Sequence, residues 1–109
     1  MELHSLPIKV SEEALKALCK KWKVKSLAVF GSILTEQFSA SSDIDFLVQF
    51  EDGQAPDLFD FVQMKYELQD LFSRSVDLVS RRAIERSTNP YRKDEILGTS
   101  QIIYEKKAA

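Results

Sequence analysis

Apolar residues recur along this chain in blocks whose period switches between helical and extended. Between positions 11 and 23, Ala14, Leu15, Leu18, Cys19 and Trp22 form one stripe at helical spacing. Ser11 is placed to cap that helix, with Glu12 and Glu13 at the positive end of its dipole and Lys20, Lys21 and Lys23 at the negative end. Residues 25–30 form a short apolar run, the pattern of a buried strand, and lead directly into Gly31-Ser32. Residues 33–41 read as a short helix or turn and then a polar loop, since Ser39-Ala40-Ser41-Ser42 is turn chemistry. From Asp43 to Phe50, Ile44, Phe46 and Val48 alternate with Asp43, Asp45 and Leu47, which predicts a second strand. Pro56 stands where a helix would start, because its missing N–H costs nothing there. Leu58, Phe61, Val62, Leu68, Leu71 and Phe72 give residues 57–72 an amphipathic helical pattern. A third strand over 75–79, a helical stretch over 81–97 broken at Asn89-Pro90, and a last strand over 101–104 complete the reading.

This alternation predicts an α/β (α+β) domain with helices packed on one sheet. A length of 109 residues suits one domain, with about residues 105–109 as a flexible tail. Fifteen basic and 17 acidic residues leave a net charge of −2, so nucleic acid is not the expected direct ligand. Cys19 is the single cysteine, which excludes an intramolecular disulfide and a Cys-rich zinc module. No apolar run approaches the ~20 residues that span a membrane. The first residues, Met1 to Ser5, do not lead into a secretory signal, and a cytoplasmic protein is expected.

Three features carry chemistry. One strand ends in Phe30-Gly31-Ser32, the next opens with Ser42-Asp43-Ile44-Asp45, and a later one contains Val76-Asp77-Leu78. Side chains two apart on a strand share a face, so Asp43 and Asp45 repel each other unless a cation lies between them. Hard carboxylate oxygens suit Mg²⁺, which commonly combines one or two carboxylates with substrate phosphates. Asp77 is an acid in an otherwise apolar strand. If that strand lies beside the second, all three acids converge, and two metals ~3.5–4 Å apart would clamp both oxygens of a phosphoryl centre. Gly31 lets a phosphate approach the backbone, and the Ser32 hydroxyl adds a hydrogen bond. Together these describe a site for a nucleoside triphosphate with Mg²⁺.

Phe-Gly-Ser, a variable turn, Ser-Asp-Ile-Asp and a third Asp on a later strand resemble the DNA polymerase β-type nucleotidyltransferase superfamily. The short length and the helix before Val76-Asp77-Leu78 resemble its minimal, MNT-type members. The resemblance runs from about Leu27 to Val79, with a weaker echo to Tyr104. It implies a mixed β-sheet with helices packed against one face. It also implies that Asp43, Asp45 and Asp77 hold the metals, that Asp77 helps activate the acceptor hydroxyl, and that Gly31 and Ser32 hold the triphosphate. The implied reaction moves a nucleoside monophosphate, usually AMP from ATP, onto an acceptor. Minimal members are often antitoxins whose partner is a small helical HEPN-type ribonuclease, which some of them adenylylate on tyrosine. Many carry a basic residue and then glycine at the positions of Thr35 and Glu36. Here neither is present, and Glu36 adds negative charge, so weaker triphosphate binding is expected. Arg81, Arg82, Arg86 or Lys25 are the sequence's candidates to replace that cation.

Each signal also has a plainer reading. Asp43 and Asp45 taken alone fit a solvated strand face, Gly31-Ser32 an ordinary turn, and Asp77 a strand-edge charge. His4 reads as solvated near a mobile end. Cys19, Trp22, Phe61 and Phe72 read as core. The Lys20–Lys25 cluster reads as a solvated helix end, and Leu58, Phe59 and Met64 as either core or partner surface. The leading expectation is an Mg²⁺-dependent, ATP-using nucleotidyltransferase acting on a separately encoded helical toxin. A non-catalytic module that neutralises the toxin by occlusion, and an enzyme that modifies a small hydroxylated molecule, are the alternatives. Self-association into a homo-oligomer is compatible with the sequence.

Overall fold

Ser11 opens the first long helix, α1 (Glu12–Lys21), its hydroxyl accepting from the Ala14 N–H at 3.2 Å. The helix stops at Trp22, and Lys23, at φ 57°, turns the chain into strand β1 (Val24–Phe30). A 3-10 turn over Gly31–Leu34 follows, then β2 (Ile44–Phe50), α2 (Leu58–Phe72), β3 (Val76–Ser80), α3 (Arg81–Glu85), α4 (Pro90–Thr99) and β4 (Gln101–Glu105). This computed structural model describes residues 3–107. Among the described residues, no helix is long and apolar enough to cross a membrane.

The elements follow the sequence reading closely, with differences that have local causes. Asp57, not Pro56, caps α2: its carboxylate accepts from the Asp60 N–H at 2.8 Å, which leaves Pro56 one residue outside the helix. The break at Asn89-Pro90 is itself a cap, since the Asn89 carboxamide accepts from the N–H groups of Tyr91 and Arg92. Two residues assigned to the expected tail make contacts with the rest of the fold. Glu105 belongs to β4, the Lys106 N–H donates to the Lys25 carbonyl at 2.8 Å, and the Lys106 ammonium pairs with Glu51. Ala108 and Ala109, also assigned to that tail, lie outside the described residues. The segment around His4 is a short 3-10 turn, Leu3–Ser5, held by burial of Leu3 and Leu6 in the core.

The sheet is mixed, in the order β3-β2-β1-β4. β1 pairs antiparallel with β2 and with β4, and β2 pairs parallel with β3. Alternation sends Leu27 and Val29, Ile44, Phe46 and Val48, and Val76 and Leu78 to one face. Leu15 and Cys19 of α1 and Met64, Leu68 and Phe72 of α2 cover that face, with the Phe46 and Phe72 rings 5.1 Å apart. The expected mixed sheet with helices on a face is thus present. The structure adds a second, smaller layer: Ala28 and Leu47 on the opposite face meet Ile84 of α3 and Ile96 of α4.

The sheet also decides which helix positions are buried. Met64, Leu68 and Phe72 point inward, whereas Leu58 and Phe59 are 77% and 87% exposed, which separates three residues the sequence left undecided. Ala14 is likewise exposed, so the α1 stripe is narrower than its composition. Glu67 locks α1 to α2. It accepts from the Lys21 ammonium and, at 3.0 Å, from the Trp22 indole N–H.

Candidate active site

Period-two alternation places Asp45 on the second face, two residues before Leu47, and Asp77 on that same face, two before Val79. The parallel register of β2 and β3 sets Asp45 directly beside Asp77. The antiparallel register of β1 and β2 sets Asp45 opposite Phe30, at the point where β1 runs into Gly31. Both acids therefore lie at the end of the sheet where β2 and β3 begin. Asp43 precedes β2 by one residue. Asp43 and Asp77 are exposed and Asp45 is half-buried. Asp45 and Asp77 thus come from two adjacent strands to one end of one face, with Asp43 just ahead of β2 and close enough for its charge to act on Asp45.

The electrostatics of this end are unfavourable as built. Burial pushes the Asp45 carboxyl above the usual carboxylate range, and the charges of Asp77 and then Asp43 push it further. Among the described residues, no group of three or more His, Cys, Asp or Glu side chains is already gathered into a metal-binding cluster. The donor set nevertheless suits a hard divalent cation, since only carboxylate oxygens are offered and their mutual repulsion is what such a charge relieves.

Gly31 is explained by Asp45. It sits at φ +77°, and a Cβ added there would fall 2.3 Å from Asp45 Oδ2. The missing side chain makes room for the carboxylate as well as for any incoming ligand. Ser32 follows, half-buried. Its carbonyl accepts from both the N–H and the hydroxyl of Thr35 at 2.9 Å, while its own hydroxyl has no hydrogen-bond partner among the described residues. Thr35 also accepts from the Gln37 N–H, so its side chain is spent on closing this turn. Glu36 is exposed and absent from the lining of the adjoining cavity, whereas its neighbours Thr35 and Gln37 are part of it. That cavity, about 750 Å³, lies between the Gly31–Leu34 turn and α4, and Gly31, Ser32, Arg92 and Gln101 are among its lining residues. A second cavity of about 770 Å³ lies between α1 and β4, away from the acids.

Two residues here were not found in the sequence. Arg74 donates to the carbonyls of Ser39 and Ser42 at 2.8 Å each and lies over the Phe38 ring at 4.5 Å. It ties down the polar loop immediately before Asp43 and so positions that carboxylate. Arg92 lines the cavity that Gly31 and Ser32 open onto. The arginines and lysine named as candidate cations do not line it. Arg81 pairs with Glu85 at 3.4 Å, and Lys25 stands at the opposite end of β1.

Comparison with known proteins identifies the family. The sequence model of the nucleotidyltransferase domain family matches residues 11–103. A candidate protein adenylyltransferase of Methanocaldococcus jannaschii is 43% identical over 81 residues, 74% of this chain and 78% of that protein. Two solved structures share the fold. One, a toxin–antitoxin crystal structure with AMP-PNP, has a TM-score of 0.67 at 20% identity, over 90% of this chain and 76% of that one. The other is a Shewanella oneidensis complex of a tri-AMPylated HEPN toxin with its MNT antitoxin. Its TM-score is 0.59 at 21% identity, over 87% of this chain and 70% of that one. With the family model spanning most of its length and the acids and Gly-Ser turn at one end of the sheet, this chain belongs to the nucleotidyltransferase domain family, as a minimal nucleotidyltransferase.

Proposed function

We propose that this chain transfers AMP from ATP to a hydroxyl group on a helical HEPN-type toxin, as the antitoxin of the pair. The observation that carries the reading is the register that sets Asp45 beside Asp77 next to the Gly31-Ser32 turn. The AMPylated toxin and the AMP-PNP in the two structures of the same fold support the choice of nucleotide and partner.

The roles follow from the side chains. Asp43, Asp45 and Asp77 are the donors for Mg²⁺, which when bound supplies positive charge to the triphosphate and relieves the repulsion among them. Gly31 leaves the backbone open to a phosphate, and the unpartnered Ser32 hydroxyl donates to a phosphate oxygen. Arg74 holds the loop that carries Asp43. In the transfer, the acceptor oxygen bonds to the α-phosphorus as the bond from that phosphorus to the bridging oxygen breaks. Pyrophosphate leaves with the electron pair, and the hydroxyl proton passes to the exposed Asp77 carboxylate.

Titration calorimetry of ATP with and without Mg²⁺, on the wild type and on Asp43→Asn/Asp45→Asn, tests the site. Metal-dependent binding that disappears in the double variant is the expected result. Intact-mass measurement of a co-expressed HEPN toxin, with an added AMP on tyrosine only beside the wild type, tests the acceptor. A folded wild type that does not bind millimolar ATP, or a double variant that still adds AMP, overturns the reading. Full toxin neutralisation by the double variant without AMP transfer would point to occlusion instead.

A further inference from the structure

We infer that Arg92 of α4 is the cation that receives the triphosphate in this protein, an inference that rests on the nucleotide-transfer reading above. Gly31 and Ser32 open onto the 750 Å³ cavity whose opposite wall is the face of α4 carrying Arg92, Glu95 and Thr99. Among the described residues that line it, Arg92 alone is basic. A polyanion entering here meets the Glu95 carboxylate in the lining, and Asp45 lies against Gly31 at its edge, so a positive charge is needed among the lining residues.

The guanidinium is free to supply it. Among the described residues, Arg92 makes no ion pair, although Glu95 stands one turn away on the same helix. Its backbone is fixed by a different group, the Asn89 carboxamide, which accepts from the Arg92 N–H at 3.2 Å. The cap therefore sets where the side chain starts and leaves its five donors unspent. Arginine's planar fork can meet two phosphate oxygens at once, which a lysine ammonium does less well. The other arginines of the second layer do not compete for this role. Arg81 is paired with Glu85, and neither Arg82 nor Arg86 lines the cavity. The charge would thus come from a helix more than fifty residues beyond the Gly-Ser turn in sequence, and not from the Thr35-Glu36 segment.

The test is titration calorimetry of ATP with Mg²⁺, and separately of AMP, into four proteins: wild type, Arg92→Gln, Arg92→Lys and Arg82→Gln. Arg92→Gln is expected to weaken ATP about tenfold, or about 1.4 kcal/mol, while AMP changes by less than about threefold. The salt dependence of ATP binding flattens in the same variant. Arg92→Lys recovers part of the loss, and Arg82→Gln, which removes the same charge outside the cavity, binds ATP as the wild type does. Thermal melts serve as the folding check, since Arg92 is exposed and its loss leaves no cavity in the core. Wild-type ATP affinity in Arg92→Gln overturns the inference alone. So does an equal loss of ATP and AMP, which marks a merely structural role, or an equal loss in Arg82→Gln, which marks a general field effect. Absence of Mg²⁺-dependent ATP binding in the wild type overturns the nucleotide-transfer reading itself, and the role of Arg92 falls with it.

Discussion

Gly31→Ala separates two reasons for a glycine at the centre of the site. The first is backbone conformation. At φ +77°, an L-residue carries about 1–2 kcal/mol of strain that glycine does not. The second is contact. The new Cβ would lie 2.3 Å from Asp45 Oδ2 and 3.3 Å from Asp45 Cγ. Carbon contacts settle near 3.5 Å or beyond, so the carboxylate must swing away by about 1 Å. Rotating a short, half-buried side chain off its preferred rotamer costs about 0.5–1.5 kcal/mol. The variant should therefore lose about 2–3 kcal/mol of stability by urea unfolding. In an Asp45→Ala background the contact is gone and only the strain remains. The double-mutant cycle should then show a coupling of about 1 kcal/mol between positions 31 and 45. Catalysis should suffer more than stability, because a 1 Å displacement of a positioned group costs about a hundredfold in rate. The readouts are four urea curves and the rate of AMP transfer. Equal stability losses in both backgrounds would refute the claim that Gly31 makes room for Asp45, and an unimpaired transfer rate would refute its importance to the site.

Two further predictions rest on titrating groups. Asp45 has its pKa raised on folding, first by burial and then by Asp77 and Asp43, so ionising it costs the folded state stability as pH rises through the folded value. Asp45→Asn removes that cost. It should melt higher than the wild type at neutral pH, by a margin that shrinks in acid where the wild-type carboxyl is protonated, and it should lose activity; a margin independent of pH would contradict the assignment. Cys19 is fully buried and its thiol is pushed up to about 12 by that burial. A soluble disulfide reagent at pH 8 should label it only as fast as the chain unfolds, and rapid labelling of folded protein would show that α1 does not pack on the sheet as described.

Local order was legible because it depends on neighbours in sequence. Ser11 caps α1 through a residue three positions on, and alternation in β2 places Ile44, Phe46 and Val48 on one face whatever lies beside them. For the same reason Asp43 and Asp45, and the adjacent Gly31-Ser32, were readable as chemistry from spacing. Burial along α2 was not legible, because Leu58, Val62 and Met64 are equally apolar in sequence. The sheet decides that Met64 is enclosed and Leu58 is not. The partnership of Asp45 with Asp77 depends on a parallel register between strands separated by a whole helix. The sequence supplied both acids without that register. The space that Gly31 gives to Asp45, the clamp of Arg74 on the loop before Asp43, and the position of Arg92 opposite the Gly-Ser turn were invisible for the same reason. Each brings together residues at least fourteen positions apart, and local propensities carry no information about which distant segments will meet. Sequence alone determined which residue types stand at the spacings that a phosphate and metal site would use; tertiary packing determined which of them share one end of one sheet face, because only the folded core fixes the distance between segments that the chain leaves free.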